Sequence, residues 1–127
     1  MTKPPQAKFG SRLVAVAALS LAGGVAAQEA SLGQGATIRL LDRVTGELSD
    51  VDLGIGQSAR LGQIDILLEE CRYPTGNPAG DAYAFLRVED QAAAQEIFAG
   101  WMIASSPALN AMDHGRYDVW VIRCRTS

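Results

Sequence analysis

The chain has 127 residues, with 11 Lys and Arg against 14 Asp and Glu and a formal net charge of −3. That length holds one domain of ordinary size and excludes a multi-domain enzyme. The acids are scattered and no lysine occurs after Lys8, a distribution that argues against nucleic acid and anionic lipid headgroups as partners.

Residues 1–27 have the layout of a secretory signal peptide. Lys3, Lys8 and Arg12 precede an apolar stretch, Leu13 to Val25, and Val25-Ala26-Ala27 supplies small residues at a cleavage site. The apolar stretch is shorter than the roughly 20 residues a membrane-spanning helix needs. The expectation is export to the periplasm, cleavage after Ala27, and no stable membrane insertion afterwards. Loss of the three leader cations leaves eight Arg against 14 acids, a net −6.

Residues 28–35 are small, polar and Gly-containing, and predict a flexible mature N-terminus. A single β-rich domain is expected over 36–125. Thr37–Asp42 and Glu47–Leu53 alternate apolar and polar residues around Gly46, which predicts a β-hairpin. Ala59–Leu61 is a very short strand candidate. Ile64–Tyr73 follows, with Ile64, Ile66 and Leu68 on one face; strict alternation puts Asp65, Leu67, Glu69 and Cys71 on the other. Pro74–Gly80 is a loop by composition. Asp81–Glu89 predicts a strand with Ala82, Ala84, Leu86 and Val88 facing one way and Tyr83, Phe85 and Arg87 the other.

Gln91–Glu96 suits either a helical turn or a polar hairpin loop. Ile97, Phe98, Trp101, Met102 and Ile103 favour a strand over Glu96–Ile103. Ser105-Ser106-Pro107 has the form of a helix start and Gly115 of a stop, so a short helix is expected near residues 106–113. Tyr117–Cys124 predicts the last strand, with Val119 and Val121 on one face and Trp120, Ile122 and Cys124 on the other. The expected fold is all-β: a small antiparallel β-sandwich or barrel with that one helix.

The run Phe98-Ala99-Gly100-Trp101-Met102-Ile103-Ala104-Ser105-Ser106-Pro107-Ala108-Leu109-Asn110-Ala111-Met112, leading into His114 and Tyr117-Asp118-Val119-Trp120-Val121, resembles the signature of DUF2155. This is a family of exported bacterial proteins of unknown function. The Leu41–Leu53 hairpin, the Gly56–Ser58 break and the two cysteines resemble it as well. The resemblance implies no activity, cofactor or partner, and so no catalytic residues to carry over.

Two cysteines in a secreted chain allow one intramolecular pairing, Cys71–Cys124. A redox-active pair would have Cys-x-x-Cys spacing, and zinc would need more ligands than these cysteines and His114 supply. No metal or cofactor is therefore expected. His114, the only histidine, lies near Ser105, Ser106, Asp113 and Asp118 in sequence. A hydrolase using His114 is one reading, but no Gly-x-Ser-x-Gly elbow presents a nucleophile. The acid pairs Asp50/Asp52, Glu69/Glu70 and Glu89/Asp90 alternate with apolar residues as solvent faces of strands do. Trp101 and Trp120 are either ring platforms for a sugar or peptide, or the largest core pieces. The expected function is a non-enzymatic binding or structural module of the cell envelope with an envelope protein as possible partner. Its candidate binding surface is Trp101, Ser105, Ser106, Asn110, His114 and Tyr117. A small-ligand or sugar-binding module using Trp101 is the other alternative.

Overall fold

The computed structural model describes residues 29–127. The leader expected over 1–27 lies outside them. Eight strands form: β1 (Ala30–Leu32), β2 (Gly35–Asp42), β3 (Leu48–Gly54), β4 (Ser58–Leu61), β5 (Ile64–Pro74), β6 (Tyr83–Asp90), β7 (Gln95–Ile103) and β8 (Tyr117–Arg125). They make two antiparallel sheets, one with the order β1-β5-β6-β7 and β4 added beside β5, the other with the order β3-β2-β8. The described residues do not close into a barrel.

β1 stands where composition predicts a flexible segment: Ala30–Leu32 pairs with Arg72–Pro74 at the end of β5. β4 pairs with the other end of β5, at Ile64–Leu67. The 11-residue β5 is thus flanked along one side by two short strands and along the other by β6. Ile64, Ile66 and Leu68 from β5 and Leu86 and Val88 from β6 are buried in one cluster with Ile38 and Leu40 from β2 and Val119 and Val121 from β8. Both sheets therefore share a single core, which non-directional apolar burial drives.

No helix forms near residues 106–113; the chain there makes turns and then runs without regular structure to β8. The Leu109 N–H bonds the Ser106 carbonyl, but only one turn closes. A helix this short has one or two hydrogen bonds to offset its nucleation cost. Tertiary contacts claim the residues instead. The Asn110 amide donates to the Trp101 carbonyl at 2.8 Å, the Ser105 hydroxyl bonds Asp81 rather than capping a helix, and Met112 is buried in the core. Gln91–Ala94 is a hairpin turn, with Ala94 at φ 52°.

The cysteines contradict simple alternation and are bonded all the same. In β5, Leu68 faces Leu86 and the next pair is Glu70 with Phe85, so Glu69 has no opposite residue on β6. This β-bulge turns Glu69 and Glu70 both to solvent and brings Cys71, three residues after Leu68, back to the core face, where it is fully buried. In β8, Val121 faces Ile38 and Arg123 faces Thr37, leaving Ile122 as the extra residue. Cys124 accordingly joins Val119 and Val121, not Trp120 and Ile122, and is buried. The Cys71–Cys124 disulfide links the two sheets with a Cα–Cα distance of 5.7 Å.

The sequence separation of 53 makes this crosslink worth about 4 kcal/mol in the chain-entropy model. The double variant Cys71→Ala/Cys124→Ala should therefore melt roughly 15–30 °C lower by calorimetry. Face reversal can be tested separately. Deleting Glu69 removes the bulge but leaves Cys71 inward, so thiol titration should find no free sulfhydryl. Inserting one Gly between Glu70 and Cys71 turns the cysteine outward, and two free thiols should appear.

Candidate functional site

The outer face of the larger sheet carries a group of aromatic and charged side chains. β6 supplies it by alternation: Ala84, Leu86 and Val88 point inward, leaving Tyr83, Phe85 and Arg87 on the opposite face. Cross-strand pairing then sets Glu70, Phe85 and Trp101 in one row across β5, β6 and β7. The rings of Phe85 and Trp101 meet edge to face, 5.4 Å between centroids at 85°. Trp101 remains 36% exposed. Glu69, Glu70, Phe85 and Trp101 line an open depression of about 230 Å³.

Each charge around this depression has a partner. Arg72 makes three bonds to the Glu70 carboxylate, at 2.8 and 3.0 Å to one oxygen and 3.3 Å to the other, and its guanidinium lies over the Trp101 ring at 5.5 Å. Arg87 bonds Glu69, reaches Glu96 at 3.2 Å, and lies over the Phe85 ring at 5.6 Å. Donating hydrogen bonds to the Glu69 and then the Glu96 carboxylate holds the Arg87 pKa above its ordinary value. The arrangement can offer flat apolar ring surface beside fixed donors and acceptors. It contains no nucleophile next to a base.

The six residues of the expected surface do not form one surface. Trp101 lies in the row just described. Asn110 braces that strand through the Trp101 carbonyl. Ser105 sits at the start of β6, where Asp81 accepts its N–H at 2.9 Å and its hydroxyl at 2.6 Å, and Ser106 takes part in a backbone turn with Ile103. Burial disfavours the Asp81 carboxylate, but bonds from the Ser105 hydroxyl and from the Ala82 and Ser105 N–H groups outweigh it and lower its pKa.

His114 sits at the other end of β6. Its Nδ1 accepts the Arg116 N–H at 3.0 Å and the Tyr117 N–H at 3.2 Å. The proton of the neutral ring is therefore on Nε2, which donates to Asp90 at 3.2 Å. Ser105 and His114 are thus separated by the eight-residue length of β6, about 25 Å. They are in no position to form a nucleophile–base pair. Tyr117 is 2% exposed and takes no part in any surface. Its hydroxyl accepts the Gln63 N–H at 3.4 Å, and a Cβ on Gly62, which has φ +56°, would collide with it. Beside it Arg116 grips Asp42 through two bonds, at 2.8 and 3.0 Å. That bond, helped by the Val44 and Thr45 N–H groups, lowers the Asp42 pKa from 3.8 to about 2.

A second groove, of about 250 Å³, runs between Pro107, Ala108 and Ala111 and the Asp118, Val119 and Trp120 segment of β8. Trp120 lies there, half-buried, and not in the core cluster. The one carboxylate in this groove, Asp118, is bonded to Arg43. Among the described residues no group of three or more His, Cys, Asp and Glu gathers to hold a metal ion. Sequence reasoning did not single out Phe85, Arg72, Arg87 and the doubled Glu69–Glu70 as a site. The signal present was the break in spacing, since buried positions 64, 66 and 68 are followed by 71 rather than 70.

The DUF2155 family, described as an uncharacterized protein conserved in bacteria, matches this chain over residues 36–124. No curated protein and no solved structure matches it.

The polar clusters at the strand ends predict two stability effects. The folded pKa of Asp42 lies below its unfolded value, so its contribution is complete above about pH 4 and is lost as pH falls through about 2. Asp42→Asn should lower the melting temperature at pH 7 and have a smaller effect at pH 2. His114→Ala leaves two backbone N–H groups and the Oδ2 of Asp90 without their partner. It should cost about 1–2 kcal/mol in denaturant titrations, an effect on stability that a solvent-facing catalytic base would not show.

Proposed function

The chain belongs to the DUF2155 family, and from the face its larger sheet presents we propose that it is an exported, non-enzymatic binding module of the bacterial cell envelope, built as a two-sheet β-sandwich. The observation that carries this reading is the exposed Trp101 ring against half-buried Phe85, set among Arg72, Arg87, Glu69 and Glu70. Trp, Phe and Arg are enriched at recognition surfaces, and large rings supply contact area with few rotatable bonds. The row stands on three central or long strands of one sheet, so its geometry is fixed before any partner arrives.

Export is supported by the leader-like residues 1–27 and by the fit of the disulfide to an oxidising compartment. The periplasm is the compartment this combination suits. The hydrolase alternative has no support from the positions of Ser105 and His114, which are held at opposite ends of β6 by separate aspartates.

The test is retention on isolated cell envelopes of the native host. Labelled wild-type chain should sediment with the envelope fraction. Trp101→Ala should lose most of that retention while its melting temperature stays within a few degrees, because its ring is at the surface. Equal retention of the two proteins would refute the binding face.

A further inference from the structure

We infer that the free edge of β3 is a docking site for an extended strand of another polypeptide, one with a basic side chain opposite Asp52. The edge belongs to the smaller sheet and is independent of the Trp101 row.

Register sets the direction of the backbone groups along β3. The Asp42 N–H donates to the Glu47 carbonyl at 2.9 Å, and the β2–β3 pairing runs unbroken from Leu41↔Leu48 to Gly35↔Gly54. Hydrogen-bonded and non-hydrogen-bonded positions alternate in an antiparallel pair. Ser49, Val51 and Leu53 therefore exchange bonds with β2, and the N–H and C=O groups of Leu48, Asp50 and Asp52 point away from it. β3 ends its sheet, and among the described residues no strand lies on that side. The open row stops at Gly54, whose N–H and carbonyl are taken by Gln57. From Leu48 to Asp52 donors and acceptors repeat every two residues, about 6.8 Å. An extended polypeptide backbone has the same repeat, and adding it as a further strand satisfies the whole row at once.

The other sheet ends are protected against such pairing. β1 and β4, which flank β5, are three and four residues long. β7 carries a bulge at Ile97, and the Asn110 amide occupies the Trp101 carbonyl on its open side. β8 carries the bulge at Ile122, and Pro107, Ala108 and Ala111 lie alongside Asp118–Trp120. Short strands, bulges and covering segments are the ordinary protection of an edge. β3 has seven residues, an unbroken register and neither proline nor lysine.

Charge selects the occupant. A second copy paired about Asp50 would set Asp50 against Asp50, and one paired about Val51 would set Asp50 against Asp52. Like charges directly opposite are destabilising. Arg39 holds both oxygens of Asp50. Asp52 accepts from the Thr37 hydroxyl through Oδ1 and keeps Oδ2 free of hydrogen bonds, with Arg125 at 3.6 Å. A cation on the incoming strand therefore belongs opposite Asp52. Leu48, 56% exposed on the same face, takes an apolar side chain.

The probe is a fluorescein-labelled, end-capped heptapeptide, Thr-Arg-Val-Thr-Val-Leu-Thr, which sets Arg opposite Asp52 and Leu opposite Leu48 in an antiparallel ladder. Binding is read by anisotropy and by amide hydrogen exchange in NMR spectra. Saturable binding is expected, with a dissociation constant between about 10 µM and 1 mM. The N–H groups of Leu48, Asp50 and Asp52 should exchange at least about tenfold more slowly with the peptide bound. The peptide with Pro for the central Thr has the same charge and cannot complete the ladder; it should bind about tenfold or more weakly. Leu48→Pro places a proline at the first position of an edge strand, which the fold accommodates, and should remove most binding. Asp52→Asn keeps the Thr37 bond and should abolish the preference for this peptide over one with Glu in place of Arg. The inference is overturned by absence of saturable binding at about 2 mM, by equal affinity for the Pro peptide, or by unchanged exchange at Leu48, Asp50 and Asp52. Dimers of the free chain that Leu48→Pro dissociates would overturn the choice of occupant in favour of a second copy. Binding that survives Leu48→Pro and is lost in Trp101→Ala would put the peptide on the other sheet and overturn the β3 edge.

Discussion

Side chains alternate between the faces of a strand, so a covalent bridge between two packed sheets needs both cysteines at inward positions. Neither cysteine has the right parity counted from its own strand's buried residues. Each is brought inward by one extra residue, Glu69 in β5 and Ile122 in β8. The bulge in β5 has a second consequence on the other side of the sheet. It places two successive carboxylates, Glu69 and Glu70, toward solvent, which a regular strand cannot do. One pairs with Arg87 and the other with Arg72, and together they border Trp101. The disulfide inside and the doubled acid outside are the two faces of one irregularity.

The long connection from β7 to β8 follows the same economy of polar groups. Residues 104–116 have no regular structure to satisfy their backbone, and a buried, unpaired amide is costly. Side chains that resemble catalytic parts do that work instead. Asp81 takes the Ser105 N–H and hydroxyl at one end, Asn110 ties the middle to β7, and the His114 imidazole takes two N–H groups at the other end. Met112 and Tyr117 drop into the core between and after these points. A histidine with both ring nitrogens engaged in this way is a structural clamp.

Much of the fold was legible because it rests on local alternation. Ile64-Ile66-Leu68 and Ala84-Leu86-Val88 announce their inward faces, and the Gly46 turn announces the β2–β3 hairpin. The strand content and the pairing of the two cysteines followed. No helix forms over 106–113 because Ser-Ser-Pro and a following Gly are start and stop signals that also suit turns, and eight residues hold too little helix to resist Asp81 and the core. A period of two puts Cys71 and Cys124 on the wrong faces because each lies a step of three beyond the last inward residue of its strand. Trp120, open to either a ring-platform or a core reading, is half-buried outside the core cluster, on the face opposite its neighbours Val119 and Val121. The site itself was only half visible: Trp101 was singled out, while the partners that give it meaning come from β5 and β6, which register alone brings beside it.

The stability of the fold and the chemistry of its outer face are separable, because the contacts that hold the fold lie between the sheets. The core residues of both sheets and the inter-sheet disulfide hold the fold. The outer-face ion pairs are 30–47% exposed, and pairs of that kind contribute little to stability on their own. Under the proposed binding role, their value lies in holding four long side chains in one arrangement around the rings, so that ordering them is not left to the moment of binding. Substitutions on this face are thus free to change its chemistry without undoing the two sheets beneath. A domain of about a hundred residues with one covalent crosslink can vary its outer row while keeping its bulges, its cysteines and its inward alternation.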